Sequence, residues 1–101
     1  MAQLRWSLQA AQDLEDICEF LARNSPQFAC VFAQRAMTII ESIPDQPRLG
    51  SIVPEYNRPE LRERLLYNYR IIYRLHGETV QIVTITHGAR LLASDLLSED
   101  G

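Results

Sequence analysis

The chain contains no lysine: all ten of its basic residues are arginine. Genome composition can produce that bias, so it excludes little. Other shortages exclude more. Only two cysteines occur, Cys18 and Cys30; they form no CxxC pair, and no histidine stands at ligand spacing from them. A disulfide framework and a structural zinc site are therefore not expected, and both thiols are read as small buried hydrophobes in helices. No run of about 18 apolar residues exists, so no transmembrane span and no membrane partner are predicted. The opening Met1-Ala2-Gln3-Leu4-Arg5-Trp6 lacks the apolar stretch of a signal peptide, so a cytoplasmic location is expected. Four glycines and five prolines in 101 residues, with 47% hydrophobic residues, do not describe a disordered chain. Phosphate-binding glycine loops, GxSxG and HExxH are all missing, which removes the commonest catalytic templates. No cofactor and no metal are expected.

What is present fits one domain, residues 1–101, with one modest core. The net charge of −3 hides an uneven distribution. Residues 61–90 carry five arginines and two acids, whereas residues 1–60 and 91–101 are each net −3. Basic charge is thus gathered in one segment.

Two helices and then three strands follow from the periodicities. Residues 2–6 read as a short strand. Ser7 suits a helix N-cap, and Leu14, Ile17, Cys18 and Leu21 recur at helical spacing, so a first helix is predicted over residues 8–23. Asp13, Glu15, Asp16 and Glu19 read as its solvated side. Asn24-Ser25-Pro26 is a break and restart, with Ser25 as N-cap and Pro26 in the first turn. Phe28, Phe32, Ala36, Ile39, Ile40 and Ile43 form the apolar face of a second helix ending near residue 43. So short a link makes the pair an antiparallel hairpin. Residues 44–60 hold all the prolines but Pro26 and read as a loop anchored by Ile52 and Val53. Alternation begins at Leu61 and continues through Tyr69, Ile71, Tyr73 and Leu75, then through Val80–Thr86 after a turn at His76-Gly77-Glu78. Residues 91–97 read as a short helix. The predicted class is α+β, β-α-α-β-β-β, with the helical hairpin on one face of an antiparallel sheet.

The alternation assigns Tyr69, Ile71, Tyr73 and Leu75 to the core and turns Arg70 and Arg74 to the other face. Arg62 and Arg64 are expected to join them, with Arg90 beyond the last strand. Clustered guanidinium groups suit phosphate or acidic side chains, although solvated arginines on a half-exposed sheet account for the same pattern. His76 reads as a surface turn residue. His87 stands at the end of the last strand beside Gly88 and Arg90, and no other group nearby looks able to move a proton.

The segments RWSLQAAQDLEDICEFLARNSP, PRLGSIVPE, RERLLYNYRIIYRL and VQIVTITHGAR, in this order, resemble the RelE/ParE superfamily of type II toxin–antitoxin toxins, and most closely its ParE branch. The resemblance covers nearly the whole chain and implies the β-α-α-β-β-β fold. It also implies a toxin of the plasmid-stabilisation type, causing growth arrest and neutralised by a cognate antitoxin. RelE-type members cut mRNA on the ribosome, whereas ParE-type members inhibit DNA gyrase by binding it. Arg70 and Arg90 match positions where RelE-type enzymes hold phosphate. After Arg90, however, no Tyr, His or Lys follows, and an arginine normally stays protonated and makes a poor base. His87 is the one substitute base, with Arg70 and Arg90 as its partners if the protein is a nuclease. The missing base favours gyrase as the target over the ribosome and mRNA. On that reading Arg62, Arg64, Arg70, Arg74 and Arg90 bind a partner's anionic groups, and Leu91, Leu92, Leu96 and Leu97 form a target-binding C-terminal segment.

Overall fold

The structure is a computed structural model that describes residues 2–90 and Leu92. Strand β1 (Gln3–Trp6) leads into helix α1 (Leu8–Ala22), followed by helix α2 (Pro26–Ser42). A 3-10 turn at Ile43–Asp45 opens the proline-rich loop, within which Ser51–Ile52 forms the short strand β2. Strands β3 (Leu61–Leu66), β4 (Tyr69–His76) and β5 (Thr79–His87) follow.

The helix boundaries come from local chemistry. The Ser7 hydroxyl accepts the Ala10 backbone N–H at 2.9 Å, and the Ser25 hydroxyl accepts that of Phe28 at 3.1 Å. Both serines are extended N-caps, and Pro26 occupies the first turn of α2 as expected. The Ser7 hydroxyl also donates to the Val83 carbonyl at 2.8 Å, which ties the start of α1 to β5.

The five strands lie in the order β1-β5-β4-β3-β2. The meander β3-β4-β5 is antiparallel, but β1 pairs with β5 in parallel, Gln3 beside Thr79 through Trp6 beside Ile82. The sheet is therefore mixed rather than wholly antiparallel. Alternation shows which residues face the core; it does not show which neighbour a short strand pairs with, or in which direction.

β1 covers only the first half of β5. Past Trp6 the edge of β5 has lost its strand partner, and Asp13 of α1 takes its place. Its carboxylate accepts the Ile85 backbone N–H at 3.1 Å and, through the same oxygen, the Thr84 hydroxyl. Asp13 thus belongs to the sheet edge and not to a solvated helix side.

The main core lies between helices and sheet. Phe32, Ala36, Ile40, Ile43, Ile71, Tyr73 and Ile82 are fully buried there, with Ile39, Leu14, Ile17 and Leu21 packed around them. A second, smaller core occupies the opposite face. It consists of Val53, Leu61 and Ile72, with Tyr56, Val83 and Leu92 against them. The far face is thus partly covered by the loop before β3, in keeping with a half-exposed sheet. Val53 anchors that loop, but Ile52 is exposed. Cys18 is only partly buried and Cys30 is exposed, so neither is the core hydrophobe the sequence suggested. The short helix expected over residues 91–97 falls outside the described residues except at Leu92.

Replacing Phe32 by Ala should cost about 3–5 kcal/mol, since its ring is wholly enclosed. Asp13→Ala should cost about 1.5–3 kcal/mol, because it strands a nearly buried N–H and a hydroxyl together. Urea denaturation of both variants checks these values; an Asp13→Ala midpoint equal to wild type would remove Asp13 from the sheet edge.

Candidate functional site

Strand β4 carries two arginines, and one of them, Arg70, lies between Tyr69 and Ile71 in an otherwise apolar run. Ile71 and Tyr73 point to the helices, and Arg70 and Ile72 point to the other face. A buried charge needs partners, and Arg70, 6% exposed, has two. Its two terminal nitrogens donate to the two oxygens of Glu55, each at 2.8 Å. Its Nε donates to Glu63 on the adjacent strand at 2.6 Å. The Arg70 hydrogen bonds hold the Glu55 carboxyl down at a pKa of about 2, and the same two carboxylates raise the pKa of Arg70. This fork-on-fork pair closes the site from within.

The cross-strand register fixes the remaining arginines. Residues directly opposite each other share a face. Arg62 lies opposite Tyr73 and Arg64 opposite Ile71, so both occupy the helix-side face, away from Arg70. The expected grouping of Arg62 and Arg64 with Arg70 and Arg74 is therefore corrected. The side-chain period is two, and Leu65, not Arg64, stands opposite Arg70. Arg62 is engaged with its own chain, donating to the carbonyls of Pro59, Arg48 and Gly50 at 2.9, 3.1 and 3.0 Å. Beside it the Tyr73 hydroxyl donates to Pro47 O at 2.7 Å and accepts the Gly50 N–H at 3.1 Å. A Cβ on Gly50 would collide with that hydroxyl and with the Glu63 carbonyl. Arg74 shares the Arg70 face but lies opposite Gln81, to which it donates at 3.2 Å; its Nε is buried without a hydrogen-bond partner. Arg90 is exposed just past the turn after β5.

His87 closes β5 opposite Tyr69, with ring centroids 5.6 Å apart in an edge-to-face pair. Its Nδ1 accepts the Ala89 backbone N–H at 3.2 Å. While that bond is made, the backbone engages the Nδ1 lone pair. A shallow cleft of about 770 Å³ runs between Glu55, Glu63, Leu65, Tyr67, Arg70 and His87. Tyr67 stands at its rim in the left-handed region, φ 53°, steadied by Phe28 and Phe32 rings and by Arg35, whose guanidinium lies 5.7 Å from its ring centroid. Among the described residues no group of three or more His, Cys, Asp and Glu side chains could hold a metal. Leu92 is half-buried on the second core; Leu91, Leu96 and Leu97 lie outside the described residues.

Glu55 and Glu63 were missed in the sequence. Glu55 looked like loop, and Glu63 looked like a spacer between arginines. The available signal was Arg70 itself, since a guanidinium in the run Tyr69-Arg70-Ile71-Ile72-Tyr73 calls for a carboxylate nearby.

Residues 4–92 match the family model described as ParE toxin of type II toxin-antitoxin system, parDE. The chain belongs to the ParE toxin family. The protein named Toxin RelE2 from Caulobacter vibrioides is 34% identical over 92 residues, spanning 90% of this chain and all of that one. Two solved structures share the fold. The chromosomal ParDE toxin–antitoxin system from P. aeruginosa superposes with a TM-score of 0.71 at 23% identity, covering 86% of this chain and 96% of that one. The RelBE2 toxin–antitoxin complex from Mycobacterium tuberculosis gives 0.55 at 21% identity, with 88% and 93% covered. Two helices on a five-stranded mixed sheet are thus the fold of this ParE-family toxin.

The Glu55 carboxyl titrates lower in the folded ParE-family chain than in the unfolded one. The stability it contributes is therefore present above the ordinary carboxylate range near pH 4.5 and is lost as pH falls toward about 2. Urea midpoints measured between pH 5 and pH 2 should fall for wild type and fall less for Glu55→Gln; parallel curves would contradict the pairing. Arg70→Ala should cost about 3 kcal/mol, at the low end for a broken buried pair because both carboxylates keep some contact with water.

Proposed function

We propose that this type II toxin–antitoxin toxin of the RelE/ParE superfamily acts by binding DNA gyrase, that it cuts no RNA, and that a cognate antitoxin neutralises it in a module of the plasmid-stabilisation type. One observation carries the choice of target. Arg70, the residue that would meet a scissile phosphate, has a donor on each of its three nitrogens engaged by Glu55 or Glu63. Transesterification at a 2′-hydroxyl needs a base, an acid and a free cation together. Beside Arg70 stand two carboxylates already committed to it, and a His87 whose Nδ1 is occupied. Those carboxylates repel a phosphate.

A binding inhibitor needs none of this. It needs anchors: Arg90 is exposed, and the sequence offers the leucines of the C-terminal segment as others. The structural neighbours are a ParDE toxin–antitoxin system and a RelBE2 toxin–antitoxin complex, which supports an antitoxin as this protein's partner too. Among the described residues no helix is long and apolar enough to cross a membrane. The ribonuclease alternative has one feature in its favour: the cleft brings His87 and Arg70 to a common wall.

Purified protein should inhibit supercoiling by gyrase and accumulate cleaved DNA–gyrase complexes, while ribosome-bound mRNA stays intact. His87→Ala should leave growth arrest unchanged, and Arg90→Ala should weaken gyrase inhibition about tenfold, as the loss of a binding anchor does. Cleavage of ribosome-bound mRNA that disappears in His87→Ala, with gyrase unaffected, would establish the ribonuclease instead.

A further inference from the structure

The cleft between the β3–β4 turn and the end of β5 has a lining unsuited to phosphate. Its charged residues are Glu55, Glu63 and Arg70: two carboxylates against one guanidinium, one excess negative charge with His87 neutral. The carboxylates are also the more reachable groups. The Glu55 and Glu63 side chains are 20% and 13% exposed, and that of Arg70 only 7%. Arg70 takes just one of the two Glu63 oxygens, and an ionised carboxylate can accept several hydrogen bonds. Around this floor stand Pro54, Leu65, Tyr67 and Ala89, all exposed.

We infer that this cleft receives a basic side chain, arginine or lysine, presented by an extended segment of the protein partner. The inference deepens the binding reading and rests on it for the partner, gyrase; the preference for a cation rests on the lining alone.

Charge and shape both narrow the occupant. An anion would meet the excess carboxylate, whereas a cation neutralises it. Among the described residues no group of three or more His, Cys, Asp and Glu side chains could hold a metal, so the cation is an organic one. A long basic side chain has two suitable halves: an aliphatic stem for the walls at Leu65 and Tyr67, and a charged head for the carboxylates. The cleft is shallow, so it suits a side chain anchored on a larger partner better than a free small molecule. Arg90 is exposed directly after Ala89 and favours an acidic residue beside the basic one.

The walls are set before any partner arrives. The Gly88 N–H donates to the Asn68 carbonyl at 2.6 Å and joins the end of β5 to the β3–β4 turn. Tyr67 holds a left-handed backbone, φ 53°, that a bulky residue rarely adopts, and the rings of Phe28 and Phe32 keep it there. A site already rigid loses little conformational entropy on binding.

NMR titration of the full-length protein tests the cleft with a blocked Ala-Arg-Ala tripeptide, its Ala-Glu-Ala counterpart and inorganic phosphate, at matched ionic strength. The arginine peptide should shift the backbone amides of Leu65, Tyr67 and His87 saturably, and the two anions should not. Ala89→Arg, at an exposed position outside the strands, should weaken arginine-peptide binding about tenfold at unchanged melting temperature, and Ala89→Glu should tighten it severalfold. Ala89→Arg should also weaken supercoiling inhibition about tenfold. Phosphate or the glutamate peptide shifting these amides as strongly as the arginine peptide does, or arginine-peptide shifts that are absent or scattered away from the cleft, would overturn the inference. Selective peptide binding with gyrase inhibition unaltered in Ala89→Arg would overturn the role of the cleft in target binding. If wild-type protein leaves gyrase untouched, the target reading fails, while the peptide titration still decides the cleft.

Discussion

Arg70, gripped by Glu55 and Glu63, is the interaction on which the far side of this sheet depends. Burying an arginine is costly unless its donors are matched, and a bidentate carboxylate plus a second on Nε matches them closely. Because Glu55 arrives from the loop before β3, pairing it also brings down Val53 and Tyr56. These close the second core over Ile72 and Leu61. A sheet face that chain length alone would leave open is thereby half covered. Such pairs contribute little net stability once desolvation is counted. Their structural effect is placement: here, of a loop against one particular strand.

The same logic governs the sheet's other margins, where strands end before their neighbours do. β1 stops at Trp6, and Asp13 accepts the edge N–H of Ile85 that a longer strand would have taken. β2 has two residues, and Arg62 and Tyr73 bind the backbone of residues 47–50 that precedes it. Backbone groups must be satisfied wherever water is excluded, and this chain does so with single side chains where the strands are short.

Features set by short-range chemistry were legible in the sequence. Ser7, Ser25 and Pro26 begin the helices as their caps dictate, and the strand run from Leu61 to His87 follows its own alternation except at Val83, where the register shifts by one residue. Phe32, Ile71 and Tyr73 were placed in the core by spacing and lie there. Contacts between residues distant in the chain were not legible. Asp13 meets Thr84 and Ile85 across some seventy positions, and no helical period marks it apart from Glu15 or Asp16. Glu55 sits among prolines, where no periodicity operates. Arg62 and Arg64 alternate correctly, but which face they share with Arg70 depends on register, and register is set by the tight turn at Tyr67-Asn68. The arginine cluster was thus correct in composition and wrong in geometry.

That geometry bears on how the protein can meet anything charged. An outside anion at Arg70 would have to displace Glu55, a carboxylate tethered by its own loop and present at an effective concentration of at least millimolar order. It would then face the released Glu55 and the still-bound Glu63 at close range, with Arg70 unable to neutralise all three anions. Arg62 is spent on backbone carbonyls and Arg74 on Gln81. Of the five arginines in residues 61–90, the charge left for a partner lies on Arg64, partly exposed on the helix-side face, and on Arg90, exposed past β5. These two belong to different surfaces of the domain. A ligand small enough to sit in the cleft cannot use both, whereas an extended partner laid along the β3–β4 turn and the end of β5 can. Within residues 61–90 the distribution of free arginine, more than its number, supports the proposed binding reading.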